Sequence, residues 1–374
     1  MNVLSENCPY KAASTRESII ILVVTMIVMD WALLPHDLLY IISTKLADIS
    51  DFIRFRAVCK SWQSSASPSD HAPRLPWILN NHGGLFVLAN LKLCPSFSNK
   101  IYTIRVRHAY MMSLNGPSEC YLLNTNKGKP ISLLNPFTGN TIALPPLTEE
   151  IRNLYPLNFV GNRLRSKDLL VVFGLKRHSF TFILGVTRLG DAEWLVIPLP
   201  GNIGTWVRGS FMYYKGHLFA HELSTGRTMV FDATSGKIVF TMRDTNRLDY
   251  NCDVKEYMVE SDEKLLRIIK NIENNQVESF EIYQLDALEN DYRWIQIWDI
   301  NEQMVFLDTH SGFSMRSSNF HGLRGNCIYF FHHELGSSPL VSVQLCRYDL
   351  GNKEIRILPY PFNAKGAWII PCIH

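Results

Sequence analysis

This chain is short of the features that usually announce a chemistry. Its eight cysteines, at 8, 59, 94, 120, 252, 327, 346 and 372, include no C-x-x-C pair and no close spacing. That excludes a zinc knuckle or a compact disulfide framework and points to reduced, mostly buried thiols. No asparagine begins an N-x-Ser/Thr sequon, although a secreted protein of this size is expected to carry one. A cytoplasmic or nuclear location is the resulting expectation. Neither sign of charge dominates: 37 basic and 34 acidic residues leave a net +3, mixed along the chain, so no field steers nucleic acid and none is expected as a partner. Long apolar runs are scarce too. The one that stands out, Ile19 to Met29 (IIILVVTMIVM), would span about 16 Å as a helix, roughly half of a hydrocarbon core, so a membrane association is not expected. It has the length of a signal-peptide core, yet no small-residue cleavage pattern follows and Asp30 leads straight into the next segment.

Catalytic and metal signatures are missing as well. There is no P-loop, no G-x-S-x-G elbow and no G-x-G-x-x-G after a strand. His217 and His221 suggest a zinc pair, with Glu222 beside them, but HLFAHE lies in a strand-rich stretch where positions four apart are about 13 Å from each other. One ion at about 2 Å from each ligand cannot join them. His332-His333-Glu334 ends a strand, where adjacent side chains point to opposite faces. Glu149-Glu150 and Asp262-Glu263 fall in turn-like segments and are expected to be solvated. No enzyme activity, no cofactor and no metal are therefore expected.

What is present divides in two. A length of 374 residues exceeds one ordinary core, and 47% hydrophobic with 19% charged residues is the balance of a folded protein. Residues 1–30 are expected to be an N-terminal extension, either a disordered tail or a stretch upstream of a natural start at Met29. In residues 31–66, WALLPHDLLYIISTKLADISDFIRFRAVCKSWQSSA, apolar Leu34, Leu38, Ile42 and Leu46 recur every four residues and Leu39 widens the stripe. Pro35 and Asp37 suit a first helical turn. Ser50 is placed to cap a second helix starting near Asp51, with Phe52, Ile53 and Phe55 apolar and Val58, Cys59 and Trp62 continuing the spacing. A three-helix unit follows. Thirty-six residues bury too little surface to stand alone, so such a unit completes its core against something else.

The run LP-x-DLL followed by D-x-I-R-F-R-A-V-C-K-S-W resembles the F-box, the module that docks a Skp-type adaptor and through it a cullin scaffold. The resemblance implies that Leu34, Pro35, Leu38, Leu39, Ile42, Leu46, Ile53, Val58, Cys59 and Trp62 carry adaptor binding or the packing that shapes it.

After a linker at 67–79, residues 80–374 read as strands. GLFVLANLKL (84–93), KIYTIRVRHAYM (100–111), DLLVVFGL (168–175), FTFILGVT (180–187), KLLRIIKNI (264–272), ESFEIYQLD (278–286) and NCIYFFHH (326–333) are examples among about two dozen such runs. A weak repeat joins them: strand, then a turn at Asn135–Gly139, Asp232–Gly236 or Asp349–Asn352, then strand. Prolines in LPPL (144–147), IPLP (197–200) and LPYP (358–361) are placed to stop strands. Blades of about 40 to 50 residues would give six or seven, a closed propeller, with a β-sandwich pair as the rival architecture. LLNPFTGNTIALPPL (133–147), YYKGHLFAHELSTGRTMVFD (213–232), RWIQIWDINEQMVFLDTHSGFSM (293–315), HGLRGNCIYF (321–330) and AWIIPCIH (367–374) are similar to the KIB-type β-propeller of plant F-box proteins. The paired glycines of kelch blades are missing, and Trp298-Asp299 stands alone, unlike WD repeats.

The fold class expected is thus α+β and multidomain: a small three-helix F-box, then an all-β propeller. The resemblance implies a substrate-recognition subunit of a Skp-cullin-F-box ubiquitin ligase, non-catalytic itself, with an unknown target held by loops near 148–166, 201–209 and 244–252. An organellar or membrane-associated propeller with a non-ligase binding role is the alternative, motivated by Ile19 to Met29. A carbohydrate-processing propeller would need two carboxyl groups facing each other in a central pocket.

Overall fold

The computed structural model describes residues 31–46, 48–67, 75–80, 86–87, 90–95, 97, 100–105, 110–111, 122–124, 131–146, 154–161, 169–176, 182–200, 210–222, 225–243, 253–288, 291–308, 312–320, 323–334, 342–362 and 366–371. The N-terminal extension with its apolar run lies outside them. No helix among the described residues is long and apolar enough to cross a membrane. The chain divides into two compact units, Met1–Leu46 with Ser50–Ala72, and Ala47–Ile49 with Pro73–His374.

The first unit is helical. A 3-10 turn at Trp31–Leu33 precedes α1 (His36–Thr44), α2 (Ile49–Arg56) and α3 (Lys60–Ser65). Pro35 is the N-cap of α1, where a missing N–H costs no helical bond. Ser50 does not cap α2 as its sequence position suggests; the helix begins at Ile49 and takes Ser50 into its first turn. Nor do Val58, Cys59 and Trp62 continue α2. The helix closes as the N–H groups of Ala57 and Val58 turn back to Ile53 and Phe55, and extended Cys59 starts α3. Trp62 then donates its indole N–H to the Trp31 carbonyl at 2.8 Å, and Phe55 meets its ring at 4.6 Å between centroids.

The second unit is built of antiparallel sheets. Four-stranded meanders run over Leu154–Pro198, Ser210–Arg243 and Asp253–Ile297, each in chain order. Leu122–Asn124, Ser132–Leu134 and Thr141–Ala143 make a three-stranded sheet, and Phe86–Val87 pairs with Tyr110–Met111. A five-stranded sheet over Gln303–Leu358 contains one parallel pairing, between Gln303–Leu307 and Cys327–Glu334. The remaining sheet joins the two ends of the unit: Gly366–Ile369 pairs with Trp77–Asn80, which continues to Asn90–Pro95 and Tyr102–Arg105. Trp77–Leu79, which the sequence assigns to the linker, are already in the first strand. Of the three candidate target loops, 148–166 contains the strand Leu154–Gly161, while 201–209 and 244–252 lie outside the described residues.

Apolar residues fill the spaces between neighbouring sheets. Tyr257, Val259, Leu266, Ile268 and Ile282 of one sheet meet Val305, Leu307, Ile328, Phe330 and Tyr348 of the next, and Phe182, Leu184 and Ile197 meet Phe211, Leu218 and Phe231. Strands such as Phe182–Arg188, Lys264–Glu273 and Gln303–Leu307 are buried on both faces, the pattern of a strand sandwiched between two other sheets.

The repeated turns are the outer hairpins of three sheets. Asn135 Oδ1 accepts the N–H groups of Phe137 and Thr138 at 2.9 and 3.3 Å, and Asp232 Oδ1 those of Thr234 and Ser235 at 3.1 and 2.7 Å. In both, a glycine four residues on, Gly139 (φ +77°) or Gly236 (φ +67°), takes the left-handed backbone the turn requires. The third, at Asp349, uses Lys353 (φ +59°) instead. Prolines end strands as expected, at Pro198 and just beyond Ala143 and Leu358.

Trp368 ties the last strand to the five-stranded sheet, donating its indole N–H to the Leu307 carbonyl at 3.0 Å and packing on Phe306 and Phe331. Trp368→Ala is expected to remove roughly 3–5 kcal/mol of stability, read as a fall in the urea midpoint of the β-rich transition.

Candidate docking face and a buried polar relay

Helix α1 exposes His36, Asp37 and Tyr40 together with several apolar side chains. Its buried line is Leu39, 0% exposed, with Ser43, whose hydroxyl goes back to the Tyr40 carbonyl at 2.7 Å. The opposite side is apolar as well: Leu38 (48% exposed), Ile41 (53%) and Ile42 (40%) face out. Ile53 (45%) and Val58 (55%) are equally open, as are Trp31 and Leu33. The ten residues singled out in the sequence therefore separate by role. Leu39 is a core residue; Leu34, Leu46, Cys59 and Trp62 are half-buried; Pro35, Leu38, Ile42, Ile53 and Val58 are exposed. Trp31, Leu33 and Ile41 belong with the exposed set and were not among the ten. Single exposed apolar side chains are ordinary, but this many in one small unit make it a candidate docking surface.

The β-rich unit hides a polar cluster that sequence spacing did not reveal. His221, Glu256 and Arg267 are buried in it, on three different strands. His221 Nε2 lies 3.3 Å from Glu256 Oε2, and Arg267 Nε lies 3.0 Å from Glu256 Oε1, which also accepts the Ser210 hydroxyl at 3.2 Å. On its other side His221 Nδ1 is 2.7 Å from Thr228 Oγ1, which accepts the Trp294 indole N–H at 3.3 Å. The Thr228 hydroxyl thus sits between the Trp294 indole and the His221 ring, and the Glu256 carboxylate faces the other ring nitrogen. Burial, with the Arg267 charge adding to it, holds the His221 pKa well below its usual 6.5. The Arg267 guanidinium also lies over the rings of Tyr283 and Trp294, 5.7 and 6.0 Å from their centroids.

A hydroxyl, an imidazole and a carboxylate in line have the connectivity of a hydrolytic triad. Here Thr228, His221 and Glu256 are sealed from solvent, so no substrate reaches the hydroxyl; the relay serves to join the Ser210–Arg243 and Asp253–Ile297 sheets. His217, on the same strand, contacts the Lys215 carbonyl, and Glu222 is held by Arg227 at 2.8 Å and Thr225 at 2.6 Å. Asp262 and Glu263 form an exposed turn, and Asp262 pairs with Arg316 at 2.7 Å. Cys94, Cys327 and Cys346 are buried free thiols and Cys59 is half-buried; burial raises the Cys94 pKa to about 11.

Residues 89–356, well over half of the chain, match the KIB1-4 beta-propeller family. The chain belongs to the KIB1-4 β-propeller family. The F-box protein SKIP23 of Arabidopsis thaliana is 24% identical, over 92% of this chain and 95% of that protein. The F-box protein At2g17036 of the same plant is 26% identical over 92% and 94%. The similarity to plant F-box proteins with a KIB-type propeller thus extends over nearly the whole sequence, helical unit included.

In this KIB1-4 propeller the relay had only a faint sequence signal. Arg267 sits between apolar neighbours in its strand, an unusual place for a charge, whereas His221 adjoins Glu222 and Glu256 adjoins Lys255. Losing the carboxylate removes a close partner of the buried Arg267, so Glu256→Gln is expected to cost roughly 3–5 kcal/mol in urea unfolding, and the double change Glu256→Leu with Arg267→Met far less. Acid should weaken the propeller through His221. Below pH 6.5 an unfolded chain takes up a proton that the buried ring refuses, so stability is lost as pH falls. His221→Gln should flatten the drop in Tm between pH 7 and 5.

Proposed function

We propose that this protein is the substrate receptor of a Skp-cullin-F-box ubiquitin ligase. The observation that carries the reading is the uncovered apolar surface of the helical unit, Leu38, Ile41, Ile42, Ile53 and Val58, in a module too small to leave it to water. The F-box resemblance of residues 31–66 and the names of the Arabidopsis relatives support it. In this reading a Skp-type adaptor covers that surface and brings in the cullin, while the propeller holds a target protein. The chain itself makes no bond. It raises the rate by holding a target lysine close to the charged ubiquitin carrier, where a bimolecular encounter becomes an effectively intramolecular one. We assign the ring six blades, treating the two- and three-stranded sheets as one. The cytoplasm or nucleus suits its free, buried thiols.

Leu38→Glu with Ile42→Glu tests the docking face. Both side chains are exposed, so circular dichroism and melting should be unchanged while co-purification with a Skp-type adaptor falls by at least tenfold. Undiminished capture would remove the ligase reading. Leu39→Ala provides the contrast: it should destabilise the helical unit itself by roughly 2–5 kcal/mol.

A further inference from the structure

Lys255 and Lys270 are direct partners in the antiparallel pairing of Asp253–Ser261 with Lys264–Glu273. Partners in such a pair share one face of the sheet with Cβ atoms roughly 4.5–5.5 Å apart, and like charges there are unfavourable. The strand carrying Lys255 is the edge of its sheet and borders Ser210–Tyr214 and Gly312–Arg316, the edge strands of two other sheets. It is therefore an inner strand. Lys270 is 5% exposed. Its Nζ donates to the Phe331 carbonyl at 3.2 Å and lies 4.6 Å from the Phe330 ring centroid.

That carbonyl is within reach for a topological reason: the parallel pairing beside it ends at Phe330 opposite Leu307. Among the described residues no carboxylate pairs with the Lys270 amine. Burial and then the charge of Lys255 bring its pKa from 10.5 down to about 7, with the Cys346 thiol acting weakly the other way. Lys255 is only half-buried, so the pair is approachable from its side. An inward-facing pair of amines, one of them without a carboxylate partner among the described residues, is a place where an anion lowers the energy of both.

We propose that Lys255 and Lys270 form an anion-binding site beside the inner edge of the propeller, taking a carboxylate or a phosphate group of a ligand. The site stands on its own geometry; that the anion belongs to a target protein rests on the receptor reading above.

The test uses the full-length protein, melted in sodium chloride, acetate or phosphate at one ionic strength and pH. The expected result is a Tm raised by acetate, by phosphate or by both relative to chloride. A response to phosphate alone assigns a phosphoryl ligand, and a response to acetate a carboxylate. Lys270→Met should abolish that response. Lys255→Gln, at the more exposed position, should weaken the apparent affinity at least tenfold and serves if Lys270→Met does not fold. Equal melting in all three salts, or a response that survives both substitutions, overturns the proposal. Capture of a Skp-type adaptor should be the same in both variants, so loss of the anion response and loss of ligase assembly are separable results.

Discussion

A sheet that is apolar on both faces cannot end in water, and that constraint organises the β-rich unit. A four-stranded meander must be covered on both sides, and the described residues show neighbouring sheets meeting that need for one another. The contact of Phe182 and Ile197 with Phe211 and Phe231, and that of Ile268 and Ile282 with Ile328 and Phe330, are two instances of one arrangement. Burial at about 25 cal/mol per Å² of apolar surface makes this the largest favourable term in such a core. Within it, polar groups survive only in company, as Glu256 does with Arg267, Ser210 and His221.

Much of this was legible beforehand, for local reasons. A strand that alternates or runs apolar between turn residues announces itself, and Lys264–Glu273 and Cys327–Glu334 sit within a residue or two of where the pattern puts them. Turns are equally local. The Asn135 and Asp232 hairpins share the same side-chain acceptor and the same left-handed glycine, so two short sequences disclose one device. Helix boundaries were less clear, because the apolar spacing of Val58, Cys59 and Trp62 continues in phase across a break that only backbone geometry reveals.

The non-local features were not legible. Nothing in the neighbourhood of His221, Glu256 or Arg267 says that strands at 217–222, 253–261 and 264–273 will bring them together. The pairing of Lys255 with Lys270 depends on the register of one hairpin, since a slip by a single residue would send every side chain to the other face. In α1 the periodicity marked an apolar stripe, Leu34, Leu38, Ile42 and Leu46, without saying which apolar line is core. Leu39 is covered and Leu38, its neighbour, is open. A helix with apolar residues on more than one side leaves that choice to its surroundings.

The pairing of Gly366–Ile369 with Trp77–Asn80 makes the first sheet wait for the last residues of the chain. During synthesis the helical unit emerges early, some 300 residues ahead of the strand that completes this sheet. Until that strand leaves the ribosome, Trp77 to Asn80 lack a neighbour, and a polypeptide cut short anywhere before residue 366 carries an open edge. Products truncated before that strand would therefore be recognisable as defective, by the edge that Gly366–Ile369 otherwise covers.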